Sequence, residues 1–158
     1  METIPLRAVA LRDAVLTVAD DAYTAGVNEV TFVPEPEWEW DQPLHGDPEP
    51  AIVGVRWSVV LGYAQDFSTP KALAIYLVEN AAQRRTLTFT PRAGGRPVTA
   101  DVLIIPGHLG GPSGELLAAT AEMPVYGRPV VGEVPAAATA AVPATPLGGD
   151  TYATPWVV

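Results

Sequence analysis

Two segments near the middle of the chain alternate between large apolar residues and smaller or polar ones. This is the pattern of strands that have one buried face. In the first segment, 56–63, the apolar face carries Trp57, Val59, Leu61 and Tyr63. In the second, 86–90, leucine and phenylalanine alternate with Thr86, Thr88 and Thr90. Both segments therefore predict strands that contribute to one packed core.

Between these strands the pattern changes to that of a helix, which we predict over residues 69–83. Ser68 and Thr69 are favourable N-cap residues, and Pro70 suits the first helical position, where an N–H group has no intrahelical partner. No glycine or proline interrupts 71–83, and an apolar stripe at helical spacing consists of Leu73, Tyr76, Leu77 and Ala81. Only this segment clearly predicts a helix.

The rest of a single domain, 14–134, consists of predicted strands and turns. Segments 14–18 and 27–33 have strand propensity. The Val/Ile-rich segment 98–105 pairs most economically with 86–90 as an antiparallel hairpin. We therefore expect a mainly β domain with one helix on its flank.

Segment 115–123 is ambiguous, because alanine, leucine and glutamate favour a helix while a weak alternation allows a strand. Residues 1–13 form an N-terminal arm without strong periodicity. Residues 135–158 are rich in Ala, Thr and Pro and cannot build a packed core, so they read as a C-terminal tail.

Segment 34–50 contains five prolines and the pair Trp38 and Trp40. We interpret it as a long loop, because we expect no helix or strand to persist through these prolines. Loops of this length in compact domains are usually functional or disordered, and aromatic anchors favour docking on a partner.

The net charge of −9 is unevenly distributed. Acidic residues crowd the loop and its surroundings, including Glu37, Glu39 and Asp41. Several basic residues flank the predicted helix and the turn after the second strand: Lys71, Arg84, Arg85 and Arg92. Both groups are either solvated surface, or the acidic loop of one copy meets the basic edge of another.

The composition limits the function classes further. The chain has 158 residues, of which 48% are hydrophobic, and we attribute part of this apolar content to subunit interfaces. No cysteine is available for disulfides or thiolate metal sites. We expect no signal peptide and no membrane span. An acidic chain without a basic stripe argues against sequence-specific nucleic-acid binding.

The residues do not suggest an enzyme. His45 and His108 lie in separate Gly/Pro-containing loops, and Ser113 lacks the spacing of a nucleophile elbow. The glycines near Gly110 are not followed by the Lys-Ser/Thr of a phosphate-binding loop. Glu37 and Glu39 could in principle bind a cation, but no ligand loop accompanies them. We therefore expect no catalytic residues, metal or cofactor.

The order of several short motifs resembles the major tail proteins of long-tailed bacteriophages, especially those of actinobacterial hosts. The motifs cover residues 10–131 and are, in order, the Trp57 strand leading into YAQDF (63–67), a helix of the type LxxYLxEN (73–80), FTP (89–91), IPG (105–107), a Gly pair (110–111) and PVxGxP (124–129). The chain departs from the family after the helix, where AAQRR replaces the usual glycine-containing turn.

The resemblance implies a β-sandwich or partial barrel with one flanking α-helix that closes into a hexameric ring. Stacked rings would form the tail tube of the virion, assembled in the host cytoplasm and used for DNA ejection. It further implies that 115–125 is a strand, and that the 34–50 loop reaches the adjacent ring through Trp38, Trp40, Glu37, Glu39 and Asp41. The threonine face is then expected to line the lumen.

The implied partners are other copies of the chain, tape-measure, tail terminator and distal tail proteins, and passing DNA, without a membrane. Other virion parts remain alternatives, namely a tail terminator or a head-decoration protein, as does the tube protein of a contractile injection machine. A monomeric β-sandwich that grips a peptide or sugar is a further alternative.

Overall fold

One antiparallel sheet of seven strands dominates the computed structural model, which describes residues 4–5, 10–11 and 13–135. The strands are β1 (Val15–Val18), β2 (Asp21–Ala22), β3 (Val27–Asp41), β4 (Glu49–Ala64), β5 (Arg84–Thr90), β6 (Val98–Leu103) and β7 (Ala118–Val131). A 3-10 turn, Thr24–Gly26, precedes β3, and helix α1 spans Leu73–Glu79. The strand order is β2-β1-β5-β6-β7-β4-β3. The prediction of a mainly β fold with one helix is confirmed.

The sheet curves until its two ends share one core. Leu16 and Val18 of β1 belong to the main buried cluster, and Val30 and Phe32 of β3 pack against the same cluster. These strands lie near opposite ends of the strand order. A cavity of about 200 Å³ lies at the seam, lined by residues of both ends, among them Leu16 and Val30. The sheet is therefore a partial barrel.

Strand β7 joins the two halves of the sheet. Its first half pairs with β4 from Ala118 to Pro124, and its second half pairs with β6 from Val125 to Val131. Exposed and buried residues alternate along the first half, with Ala119, Ala121 and Met123 buried. The strand predicted at 115–125 is confirmed from Ala118 onward, because burial between neighbouring strands outweighs the helix propensity of alanine and glutamate.

Helix α1 is shorter than the predicted 69–83. Its N-cap is Ala72, whose extended backbone has a ψ of 147°. The Asp66 carboxylate accepts hydrogen bonds from the Ser68 N–H at 2.7 Å and the Thr69 hydroxyl at 2.6 Å, which closes a turn before the helix. The capping residues therefore stabilise that turn, and the predicted helix start was wrong.

The apolar stripe of α1 is also shorter than predicted. Leu73, Ala74 and Leu77 are buried in the core cluster. Tyr76 is half-buried and contacts Tyr23, with ring centroids 5.5 Å apart. Ala81 is exposed, because it lies in a turn after the helix.

Segment 34–50 is not a loop throughout, which corrects the prediction. Strand β3 continues to Asp41 and β4 begins at Glu49, so only 42–48 form the irregular tip of a hairpin. The pairing includes Pro34 with Trp57 and Pro36 with Val55. Proline is tolerated on an edge strand when its nitrogen faces away from the partner, which is why these prolines do not end the strand.

The predicted C-terminal tail, 135–158, lies outside the described residues apart from Pro135. The same holds for most of the predicted N-terminal arm, 1–13.

Candidate assembly surfaces

The hairpin of β3 and β4 extends well beyond the body of the sheet, and we call its outer part, residues 34–57, the arm. Strand β7 stops pairing with β4 at Ser58, so the arm has two strands only. The eight residues from Pro34 to Asp41 correspond to about 26 Å at ~3.3 Å per residue. The arm is thus slightly longer than the part of β4 that pairs with β7, residues 58–64.

The register divides the arm into two faces of different chemistry, because side chains alternate across a strand. The apolar face consists of Pro34, Pro36, Trp38 and Trp40 of β3 with their partners Trp57, Val55, Ile52 and Pro50 of β4. The acidic face consists of Glu35, Glu37, Glu39, Asp41 and Glu49. The tryptophans and acids are visible in the sequence, whereas Ile52 and Val55 join the apolar face only through the register.

The apolar face is exposed. Trp38 and Trp40 pack edge to face with centroids 5.9 Å apart, and they are 55% and 56% exposed. Ile52, opposite Trp38, is 71% exposed. This face continues the core-facing side of the sheet, since Val59 and Leu61 of β4 have the same parity and are fully buried. The apolar face therefore continues the buried side of the sheet into a region where nothing in the described part of the chain covers it.

The acidic face carries a concentrated negative charge. Residues 34–57 contain six acidic residues and one basic residue, a formal net charge of −5. That basic residue, Arg56, forms a salt bridge with Glu37. The structure thus brings the predicted contact residues together on one arm, but divides them between opposite faces.

The four basic residues predicted as a complementary edge do not form one edge. Arg84 binds Asp101 at 2.7 Å and stacks over Tyr126, with its guanidinium carbon 4.4 Å from the ring centroid. Arg85 hydrogen-bonds to Gln83 and Asn80. Lys71 lies 4.0 Å from Asp21, and Arg92 follows β5 at the end opposite Arg84. The structure thus distributes these four residues along β5 and around its neighbours, and their role as a complementary surface stays a prediction.

Threonines dominate the face of the sheet opposite the core. The register places seven there, across β1, β3, β5, β6 and β7: Thr17, Thr31, Thr86, Thr88, Thr90, Thr99 and Thr120. Thr86 donates to Asp101 at 2.8 Å, and the hydroxyls of Thr88 and Thr99 are 3.4 Å apart. The hydrogen bond from Thr86 and the one from Arg84 lower the pKa of Asp101. The threonine face is polar, and it also carries the exposed Glu29 and Glu122 and the ion pair of Arg84 with Asp101.

A second apolar surface lies at the other end of the sheet, where β4 ends and β7 begins. It is a groove around a cavity of about 220 Å³, lined by Phe67, Ala74, Ile75, Val78, Glu79 and Leu109. Phe67, Val78 and Leu109 are all exposed. The sequence does not predict this groove, because its residues come from a turn, the helix and a glycine-rich loop that only the fold brings together.

Two polar side chains hold the loop that forms one wall of this groove. The buried Gln65 amide donates to the carbonyls of Gly110 and Ala118, each at 3.0 Å, and accepts from the Gly110 N–H at 2.9 Å. The Tyr63 hydroxyl accepts from the Gly107 N–H at 3.2 Å, while burial raises the pKa of Tyr63. Leu109 is thus positioned by a fixed loop.

Among residues 4–5, 10–11 and 13–135, no three His, Asp or Glu side chains are grouped so that they could hold a metal ion. His45 lies at the arm tip and His108 in the loop beside the groove, and both are exposed. No helix in the same ranges is long and apolar enough to cross a membrane.

Comparison with known proteins finds similarity in structure only. No family model matches the sequence, and no curated protein matches it. A chain from the virion of a native gene transfer agent particle superposes with a TM-score of 0.56 at 14% identity, covering 75% of this chain and 95% of that one.

Two further chains come from contractile machines. The sheath/tube terminator of an extracellular contractile injection system, in its extended state, gives a TM-score of 0.58 at 9% identity and covers 81% of this chain and 99% of that one. A chain of the anti-feeding prophage baseplate gives 0.50 at 12% identity, covering 84% and 99%. The chain therefore has the fold found in protein components of virus-like particles and contractile injection systems.

Proposed function

We propose that this chain is a structural protein of a tailed virion that forms the tail tube by stacking hexameric rings, through which the genome passes. The observation that carries the proposal is the arm, an exposed extension of the core face that is suited to contact with another copy. The shared fold with particle components supports the same class of function. The resemblance of the sequence motifs to actinobacteriophage major tail proteins supports the more specific part of this proposal, the tail tube.

The arm supplies the contact between rings in this proposal. Trp38 and Trp40 form its apolar anchor, as half-exposed aromatic side chains do in many interfaces. The acids of the opposite face, including Glu39 and Asp41, steer the approach of copies and respond to salt more than they add affinity.

The threonine face supplies the lumen surface. Thr86, Thr88 and Thr90 lie on the face opposite the core, and their hydroxyls present no fixed charge to DNA. Six copies at −9 each give −54 per ring, so the tube as a whole repels the phosphate backbone. Both features favour a conduit in which DNA slides without being held.

A tail terminator is the second candidate, favoured by the similarity to a sheath/tube terminator. A terminator forms one capping ring, whereas a tube protein stacks indefinitely. Tape-measure and distal tail proteins are further partners under either assignment.

Negative-stain electron microscopy of the purified protein over a range of concentrations tests the proposal. We expect long hollow tubes with a regular axial repeat. Single rings at every concentration would favour the terminator, and a monodisperse monomer at high concentration would refute assembly and favour a monomeric binding module.

A further inference from the structure

The prolines of the arm determine how it can contact another protein. Since Pro34 and Pro36 are both paired within the ladder, their nitrogens face the outer edge of β3, which lacks N–H donors there. Pro50 is paired with Trp40, so its nitrogen faces the other edge of the arm. Both edges are therefore poor templates for an added strand. The arm is suited to contact through its faces.

Of these two faces, the apolar one is incomplete in a single copy. Its tryptophans, Ile52 and Val55 are exposed although they continue the buried side of the sheet. A partner of matching chemistry must offer an apolar surface that is also exposed on the folded chain. The groove of Phe67, Val78 and Leu109 meets this condition.

The arm and the groove lie at opposite ends of the molecule. Strand β4 enters the arm at one end of the body and stops at Ala64 at the other, where it pairs with Ala118. Gln65, the next residue, ties the loop of Leu109 to that end through Gly110. A contact between two different surfaces is heterologous, and it continues as an open stack wherever the rotation between successive copies does not close a ring. Surfaces at opposite ends of the molecule suit such a stack.

We propose that the apolar face of the arm docks, face down, into the groove between α1 and the 104–117 loop of a second copy of this chain. The contact joins copies head to tail along one axis, so it is the stacking contact of the tube and rests on the proposed function. The tryptophan pair and Ile52 of one copy cover Phe67, Val78 and Leu109 of the next. The acidic face remains turned away from the groove.

Cysteine cross-linking tests the docking, because the chain contains no cysteine. In Ile52→Cys/Val78→Cys each copy carries one reactive group on the arm and one in the groove. We expect a short bis-maleimide to convert assembled protein into a ladder of covalent multimers on a denaturing gel. A second pair, Val55→Cys/Leu109→Cys, samples the same contact at another point and is expected to give the same ladder.

The matched control is Glu39→Cys/Val78→Cys, which places the arm cysteine on the acidic face. We expect no ladder from this control, and no species beyond dimers from Ile52→Cys alone. Tubes from both test pairs without a ladder would overturn the groove assignment and leave the tube function standing. Failure of the unsubstituted chain to form tubes would refute the tube function itself.

Restoring backbone N–H donors to the outer edge of β3 tests whether the arm contacts its partner through its apolar face or by adding a strand to that edge. We expect Pro34→Thr/Pro36→Thr to form tubes at the same protein concentration as the unsubstituted chain. A severalfold fall in that concentration would show that the edge carries the contact, and would overturn face-down docking.

Discussion

Replacing both arm tryptophans, in Trp38→Ser/Trp40→Ser, is expected to raise the protein concentration needed for tubes by more than a hundredfold while leaving the fold intact. Each side chain is just over half exposed, so docking can remove roughly 140 Å² of a residue that buries up to about 250 Å². At ~25 cal/mol per Å² this contributes about 3.5 kcal/mol per side chain.

The double substitution therefore removes at most about 7 kcal/mol from each arm contact, before the ordering of side chains is subtracted. If only half of this is realised, the concentration needed for stacking rises about 300-fold, because 1.4 kcal/mol corresponds to a factor of ten. The free energy of unfolding of the single chain is expected to change little, since both tryptophans are more than half exposed and neither belongs to the core cluster.

The assay is sedimentation and negative-stain microscopy over a thousandfold range of protein concentration, with thermal unfolding as the check on folding. The matched variant is Trp38→Phe/Trp40→Phe, which keeps an aromatic face and is expected to form tubes within tenfold of the unsubstituted concentration. Normal tubes from the serine variant, at an unchanged melting temperature, would refute the argument that the apolar face carries stacking.

Four further outcomes are expected. Deleting 36–49 removes most of the arm and leaves rings or monomers; normal long tubes by microscopy would exclude a stacking role for the arm. Thr88→Lys leaves tubes intact but slows genome release from virions carrying it, because a cation in the lumen attracts phosphates; tubes that fail to assemble count against the lumen assignment. The pKa of Asp101 is lowered in the folded chain, so ionised Asp101 stabilises the fold at pH values above the ordinary pKa of 3.8. This stabilisation is lost as the pH falls through the lower pKa of the folded state. The melting temperatures of the unsubstituted chain and Asp101→Asn should thus converge at low pH, and a constant difference between them would contradict this. Gly107→Ala is expected to lower the melting temperature, because its Cβ would lie 2.8 Å from the Thr120 carbonyl oxygen; an unchanged melting temperature would show that the loop yields freely.

The sequence by itself determined the elements whose pattern reflects local physics. Alternation at 56–63 and 86–90 identified two core strands, because every second side chain of a half-buried strand points into the core and is apolar. The hairpin pairing of 86–90 with 98–105 followed from the short glycine turn between them, and the structure confirms it. The helix was identified by its stripe, although its bounds were not.

Only the tertiary structure decided the elements whose conformation depends on a partner strand. The prolines of 34–50 favour a loop when considered alone, but β4 supplies a ladder in which their missing donors face outward. The capping residues around Asp66 and Thr69 indicate a helix start, yet the chain closes a separate turn with them.

The candidate surfaces divide in the same way. Trp38 and Trp40 are visible in the sequence, because two tryptophans among prolines and acids are unusual. Ile52 joins them only through the register, which is a property of two strands and not of one. The groove depends on Phe67, Val78 and Leu109, which are far apart in the chain and meet only where the sheet ends. The sequence shows which residues of each segment are apolar, but the tertiary structure determines which of them lie side by side on an exposed surface.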